Sequence, residues 1–201
     1  IATSPTDAGS GLGTAARSWA KATGKDKLIW SPYCGYNIDR QVNPKDIVDH
    51  ILNNKVCGIA NGKAEFGPRA LGNRSLIADV RYDVKDTVNG IKRRQKYRPF
   101  APAILEEFAD QYFDGPMNEY MQYTSIAKHD YAPVTHVDGT ARVQVVKKDC
   151  ESIFRKVIEE YYEKTGVPIV LNTSLNIRRR PMVNDEKDAR LWEQEYKVKV
   201  F

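Results

Sequence analysis

The run from Cys150 to Ser174 constrains the fold most. "CESIFRKVIEEYYEKTG" sets Ile153, Val157, Ile158 and Tyr161 on one helical stripe and stops at Gly166. "VPIVLNTS" follows at once, an apolar strand patterned for burial that runs straight into a polar loop. Helices and strands alternate along the rest of the chain, which makes the class α/β with a mixed sheet.

The other elements follow from local signals. "SPTDAGSGLGTAARSWAKATG" reads as a Gly-rich loop entering a short helix that ends at Gly24, and "SPYCGYNIDRQV" reads as a linker because it lacks either apolar period. Asn43 is a helix cap with Pro44 in the first helical position, and Ile47, Val48, Ile51 and Leu52 share a face. "DVKDTVNGIKRR" is a second helix with Val84, Val88 and Ile91 inward. "KVCGIA", "SLIADV", "FAPAIL", "EYMQYTSIA" and "ARVQVV" are the expected strands. A small first piece over residues 1–40 and a whole domain over 41–201 is the expected organisation.

Hydrophobic residues make up 41% of the 201 positions, enough for a real core, and no segment approaches the length of a membrane span. Cys34, Cys57 and Cys150 are isolated, with no C-x-x-C among them, so a reducing cytoplasm is the expected compartment. The chain opens on Ile1 in a loop-like run, which suggests a longer parent. Its formal charge of +5 is unevenly placed. Asn61–Phe100 carries ten Lys/Arg against four Asp/Glu, whereas Ala101–Ala141 carries one against seven. Nucleic acid or small anions would each suit that basic block.

Four segments carry candidate chemistry. "KAEFGPRALGNRS" holds Arg69 and Arg74 with a single acid, Glu65, and reads as a loop that aims guanidinium groups at something negative. "IKRRQKYRPFAP" offers Lys92, Arg93, Arg94, Lys96 and Arg98; a helix C-terminus complementing its macrodipole and an anion site account for it equally well. "THVDGTARVQVV" puts His136 on a turn built by Asp138-Gly139, and strand alternation sends Arg142 and Gln144 to the face opposite Val143 and Val145; taken alone, the segment reads first as a hairpin with a solvated outer face and second as a cleft wall. "VLNTSLNIRRRP" ends an apolar strand in Asn172, Thr173, Ser174 and Asn176, short donors and acceptors that point to an oxyanion or phosphate site.

Taken together, "EFGPRALGNRS", "IKRRQKYRPFAP", "HVDGTARVQ" and "LNTSLN" resemble the successive signatures of the O-carbamoyltransferases, the family of nodulation-factor and antibiotic-tailoring enzymes. The resemblance spans essentially the whole chain. It implies a YrdC-like twisted mixed sheet with flanking helices, the fold of threonylcarbamoyl-AMP synthases, preceded by the tail of an actin-like domain. Lys92-x-Arg94 and Ser174-x-Asn176 are similar to the K-x-R and S-x-N pairs of that fold. The implied reaction takes carbamoyl phosphate and ATP to carbamoyl-adenylate with release of pyrophosphate. An actin-like domain then passes the carbamoyl group to an acceptor hydroxyl.

On that resemblance Lys92, Arg98 and Arg142 serve catalysis. Arg69, His136 and Arg142 bind the carbamoyl substrate, and Arg94, Ser174 and Asn176 bind the nucleotide. Planar guanidinium forks suit such oxygens, each charge-assisted hydrogen bond contributing ~1.5–3 kcal/mol. Mg2+ would accompany ATP, and Fe2+ belongs to the full-length parent, with Asp7 matching one iron-binding carboxylate. Two departures stand out. His50, His129 and His136 lack the H-x-x-x-H spacing of the paired iron ligands, and Ile177-Arg178-Arg179-Arg180-Pro181 replaces a turn that usually holds glycine. A threonylcarbamoyl-AMP synthase is the same-fold alternative. An RNA-binding module, stacking bases on Tyr82, Tyr97 and Phe100, is the non-enzymatic one.

Overall fold

The computed structural model describes residues 7–150, 152–176 and 178–201, with side chains from Gly9 onward. Asp7, the expected iron ligand, therefore has its side chain outside the described residues, as does the whole of Ile177.

In chain order the elements are α1 (Asp7–Thr23), β1 (Tyr33–Ile38), α2 (Pro44–Asn54), β2 (Val56–Ala60), β3 (Gly62–Glu65), β4 (Arg74–Ala78), α3 (Lys85–Ile91), β5 (Ala101–Leu105), α4 (Ala109–Tyr112), β6 (Phe113–Asp114), β7 (Ser125–Ala127), β8 (Thr140–Ala141), β9 (Gln144–Val146), α5 (Ile153–Thr165), β10 (Ile169–Ser174) and α6 (Glu186–Tyr196). The main sheet has the order β2-β4-β10-β5-β9, antiparallel except for the parallel pair β5–β9. Residues Lys199–Phe201 lie along the free edge of β2, exchanging backbone hydrogen bonds with Gly58 and Ala60, so that edge is covered.

Both faces of this sheet are buried, which explains the near-continuous apolar strands. Cys57, Ile77, Ala103, Leu105 and Val170 pack under α2 and α5 with Ile47, Ile51, Phe154, Val157 and Ile158. The alternate positions Leu76, Ala78, Ile104, Ile169 and Leu171 meet α3 and α6 through Val88, Ala189 and Trp192. This is the mixed sheet with flanking helices expected from the sequence.

The caps are where the residue types put them. Asn43 accepts from Lys45 N at 3.0 Å ahead of Pro44, and Gly166 closes α5 at φ +70°. Four local expectations need correction. The Gly-rich run is already helical from Asp7, so α1 is longer than the short helix expected. The expected linker contains β1, which pairs with β3; most of its side chains face solvent, so no apolar period marks it. The strand expected over "EYMQYTSIA" shrinks to β7. "ARVQVV" is two strands, because Ala141 pairs in the small β6-β7-β8 sheet while Gln144 joins β5 in the main one. Arg142 and Gln144 therefore do not share one continuous strand face. α6 carries too narrow an apolar stripe, Ala189 and Trp192, to be read from periodicity.

Arg179 stands at φ +65° in the turn where the resemblance implied a glycine. A non-glycine residue there is strained by about 1–2 kcal/mol. Arg179→Gly should therefore raise the melting temperature by a few degrees, and an unchanged or lower value in a thermal melt would refute the strain.

Candidate functional site

The loop Phe66–Asn73 is shaped from within. Glu65, buried, accepts from the backbone N–H of Leu71 and Asn73 at 2.7 Å and of Arg74 at 3.2 Å. Burial pushes its carboxyl above the usual range, while those N–H groups act to lower it. Gly72 at φ +123° lets the loop press on the Phe154 ring, where a Cβ would come within 2.5 Å of a ring carbon. Arg74 proves to be a core residue: it is fully buried and donates to the carbonyls of Tyr36, Gly62, Asn73 and Asn184 at 2.7–3.1 Å. Of the two arginines in this stretch, only Arg69 faces outward.

Register gathers the site at one edge of the sheet. Ser174 lies opposite Ser75 and Asn172 opposite Ala101. The end of β10 is thus flanked by the loop before β4 and by the Arg98–Pro99 approach to β5. Between them opens a cleft of about 430 Å³ lined by Arg69, Arg94, Arg98, His136, Arg142 and Ser174, with Asn172 and Thr173 at its wall. None of its described lining residues is a carboxylate. Because the sheet is mostly antiparallel, this edge combines one strand's carboxyl end with the amino ends of two others.

The cations are held in different ways. Arg94 Nε donates to Asn89 Oδ1 at 2.6 Å, and its guanidinium stacks 4.3 Å above the Phe100 ring. Burial, then Arg98, brings its pKa down to about 10. Arg69, Arg98 and Arg142 form no ion pair among the described residues. Burial and the facing Arg142 lower the pKa of Arg69. His136 Nδ1 lies 3.1 Å from Thr140 Oγ1; its pKa is lowered chiefly by burial, with Asp138 opposing and Arg142 adding to the shift.

Lys92 and Asn176 do not line the cleft but stand behind it. Lys92 Nζ donates to Ser174 O, to Ser174 Oγ at 3.0 Å and to Asn176 Oδ1. The helix end thereby tethers the loop that follows β10. Burial, with Arg94 and Arg98 close by, brings the Lys92 pKa down to about 7.

A model of the carbamoyltransferase C-terminus matches residues 48–201. The chain belongs to that family. It is 38% identical to nodulation protein NolNO of Sinorhizobium fredii over 85% of its own length and 27% of that protein's. Against NolO of Bradyrhizobium diazoefficiens the identity is 41%, covering 70% of this chain and 28% of NolO. Against nodulation protein U of Rhizobium tropici it is 32%, covering 94% and 36%. The chain therefore spans roughly a quarter to a third of these relatives. The fold is also that of part of HypF, solved full-length in a phosphate- and nucleotide-bound form, with a TM-score of 0.56 and 16% identity over 81% of this chain and 21% of that one. The expected YrdC-like class is thus the class observed.

A second, larger cleft of about 620 Å³ was not legible in the sequence. It is lined by Tyr33, Tyr120, Lys63 and Lys147 but also by Glu119 and Asp149. Its mixed charge suits a polyanion less well than the carboxylate-free cleft. Among the described residues no group of three or more His, Cys, Asp or Glu gathers to hold a metal, and no helix is long and apolar enough to cross a membrane.

Proposed function

We propose that this chain is the carbamoyl-adenylate-forming part of a larger O-carbamoyltransferase, working in the cytoplasm on carbamoyl phosphate and ATP. The supporting observation is that four arginines, none of them in an ion pair among the described residues, converge with Ser174 on one carboxylate-free cleft. Residues 1–40 would be the tail of the actin-like domain.

In this reading water cleaves carbamoyl phosphate to carbamate and inorganic phosphate. A carbamate oxygen then bonds to the α-phosphorus of ATP, the bond from that phosphorus to the bridging oxygen breaks, and pyrophosphate leaves. Carbamate is already the nucleophile, so the protein's task is to neutralise two anions and hold them in line. Arg94, pre-set by Asn89 and Phe100, would hold the nucleotide together with Ser174; Arg69, Arg98 and Arg142 would take phosphate and carbamoyl oxygens, with His136 beside them. Mg2+ would neutralise part of the ATP charge. The iron of the longer parent does not fit the described residues of this chain, and transfer to an acceptor hydroxyl is assigned to the remainder of the protein. An RNA surface is less well supported, since Phe100, one of the three expected stacking residues, is buried beneath Arg94, which leaves Tyr82 and Tyr97 of the three exposed.

Calorimetric titration with ATP and with carbamoyl phosphate tests the proposal. Heat is expected from both, and none from either in a folded sample would refute it. The ATP titration should also take up protons. Burial brings the Lys92 pKa down to about 7, which leaves it largely neutral at pH 8, and the negative charge of a phosphate bound in the cleft in front of it favours its ammonium form through space. Affinity should therefore fall as pH rises above 7, with proton uptake visible as a difference between buffers of unlike ionisation enthalpy.

A further inference from the structure

Asn172 is 1% exposed and lines the cation-rich cleft, yet its Oδ1 has no hydrogen-bond partner among the described residues. The orientation of its amide follows from two backbone carbonyls. Gln144 Nε2 donates to Leu71 O at 2.9 Å, which turns Gln144 Oε1 towards Asn172. Asn172 Nδ2 donates to that oxygen at 2.7 Å and to Ala70 O at 3.1 Å. Turning the amide over would set Oδ1 against two acceptors, so the arrangement leaves Oδ1 as the unmatched atom. Its surroundings are rich in donors for ligand oxygens and poor in acceptors. The hydroxyl of Ser174 is already engaged by Lys92 and Asn176. A buried acceptor without a donor is a site at which a ligand N–H gains more than it would in water.

We propose that Asn172 Oδ1 accepts an N–H of the carbamoyl amino group, so that Asn172 distinguishes carbamoyl phosphate from acyl phosphates of equal charge and similar size. This rests on the adenylation reading above. The Phe66–Asn73 loop then has a second task besides presenting Arg69: its Ala70 and Leu71 carbonyls set the polarity of the amide that reads the amino group.

Acetyl phosphate, which carries a methyl group in place of the amino group, is the probe. The native chain should bind carbamoyl phosphate about 10–100-fold more tightly than acetyl phosphate, the range expected when a buried acceptor is satisfied by one ligand and orphaned by the other. In Asn172→Leu the preference should collapse to about threefold or less. In Asn172→Asp, which keeps an acceptor oxygen, it should persist even though the added charge weakens both ligands. The ratio is the readout, and thermal melts establish that each variant is folded. Should Asn172→Leu fail to fold, the native ratio and that of Asn172→Asp still decide. Native binding of both ligands with equal affinity would overturn the role of Asn172 while leaving the anion cleft intact. Binding of neither would overturn the adenylation reading as well. A folded Asn172→Leu that keeps the native preference would overturn the proposal too.

Discussion

Arg74→Met should cost the fold about 3 kcal/mol or more, a drop of roughly 6–12 °C in melting temperature for a chain of this size. The guanidinium is fully buried and supplies donors to the carbonyls of Tyr36, Gly62, Asn73 and Asn184, which belong to four separate stretches of chain. Burial lowers its pKa, partly offset by Glu65. Methionine fills the space but leaves those carbonyls short of donors. Thermal unfolding followed by circular dichroism is the measurement. An unchanged melting temperature with lost anion binding would make Arg74 a ligand residue and contradict its structural role.

Arg142→Ala should do the opposite, weakening binding of carbamoyl phosphate or ATP by about 10–100-fold at an unchanged melting temperature. Arg142 is half-buried and forms no ion pair among the described residues, so little of the fold depends on it. It works against its neighbour, since its charge helps to lower the pKa of Arg69. Removing it relieves that repulsion, whereas an anion placed between the two relieves it by attraction. Titration calorimetry beside a thermal melt separates these effects. Unfolding of the variant would move Arg142 from the site to the scaffold.

These two substitutions show where sequence reading reaches and where it ends. Arg69 and Arg74 stand five positions apart, one in the loop and one at the start of β4, with the same chemistry, yet one opens on the cleft and the other lies at zero exposure. The difference comes from Glu65, whose carboxylate gathers three backbone N–H groups and turns the loop inward after Arg69. Nothing in the local pattern marks that fold-back, because its partners are main-chain atoms. Arg98, by contrast, lines the cleft from the residue before Pro99, a position that proline biases towards an extended approach to β5. His136 was legible as a turn residue, and the backbone bonds His136 N to Thr140 O and Gly139 N to His136 O bear that out. The split of "ARVQVV" escaped detection for a further reason: period-two alternation is blind to a strand that changes sheets between Ala141 and Gln144.

The sequence by itself determined the elements whose stability is local or two-faced. The Asn43 cap with Pro44, the stripe of α5 and the doubly buried β10 are written in residue type and spacing, since caps and apolar periods act within a few positions. It also determined, through its ordered motifs, the family and the set of polar residues gathered near one sheet edge. Only the tertiary structure decided which of those residues meet in one cleft, that Lys92 and Asn176 stand behind it as a tether, and that Asn172 is left with an open acceptor. Those outcomes depend on hydrogen bonds between groups 28 to 102 positions apart, among them Asn172 with Gln144 and with Ala70. No local pattern encodes such pairings, because backbone carbonyls are identical in every residue and only the packed sheet selects which of them a side chain meets.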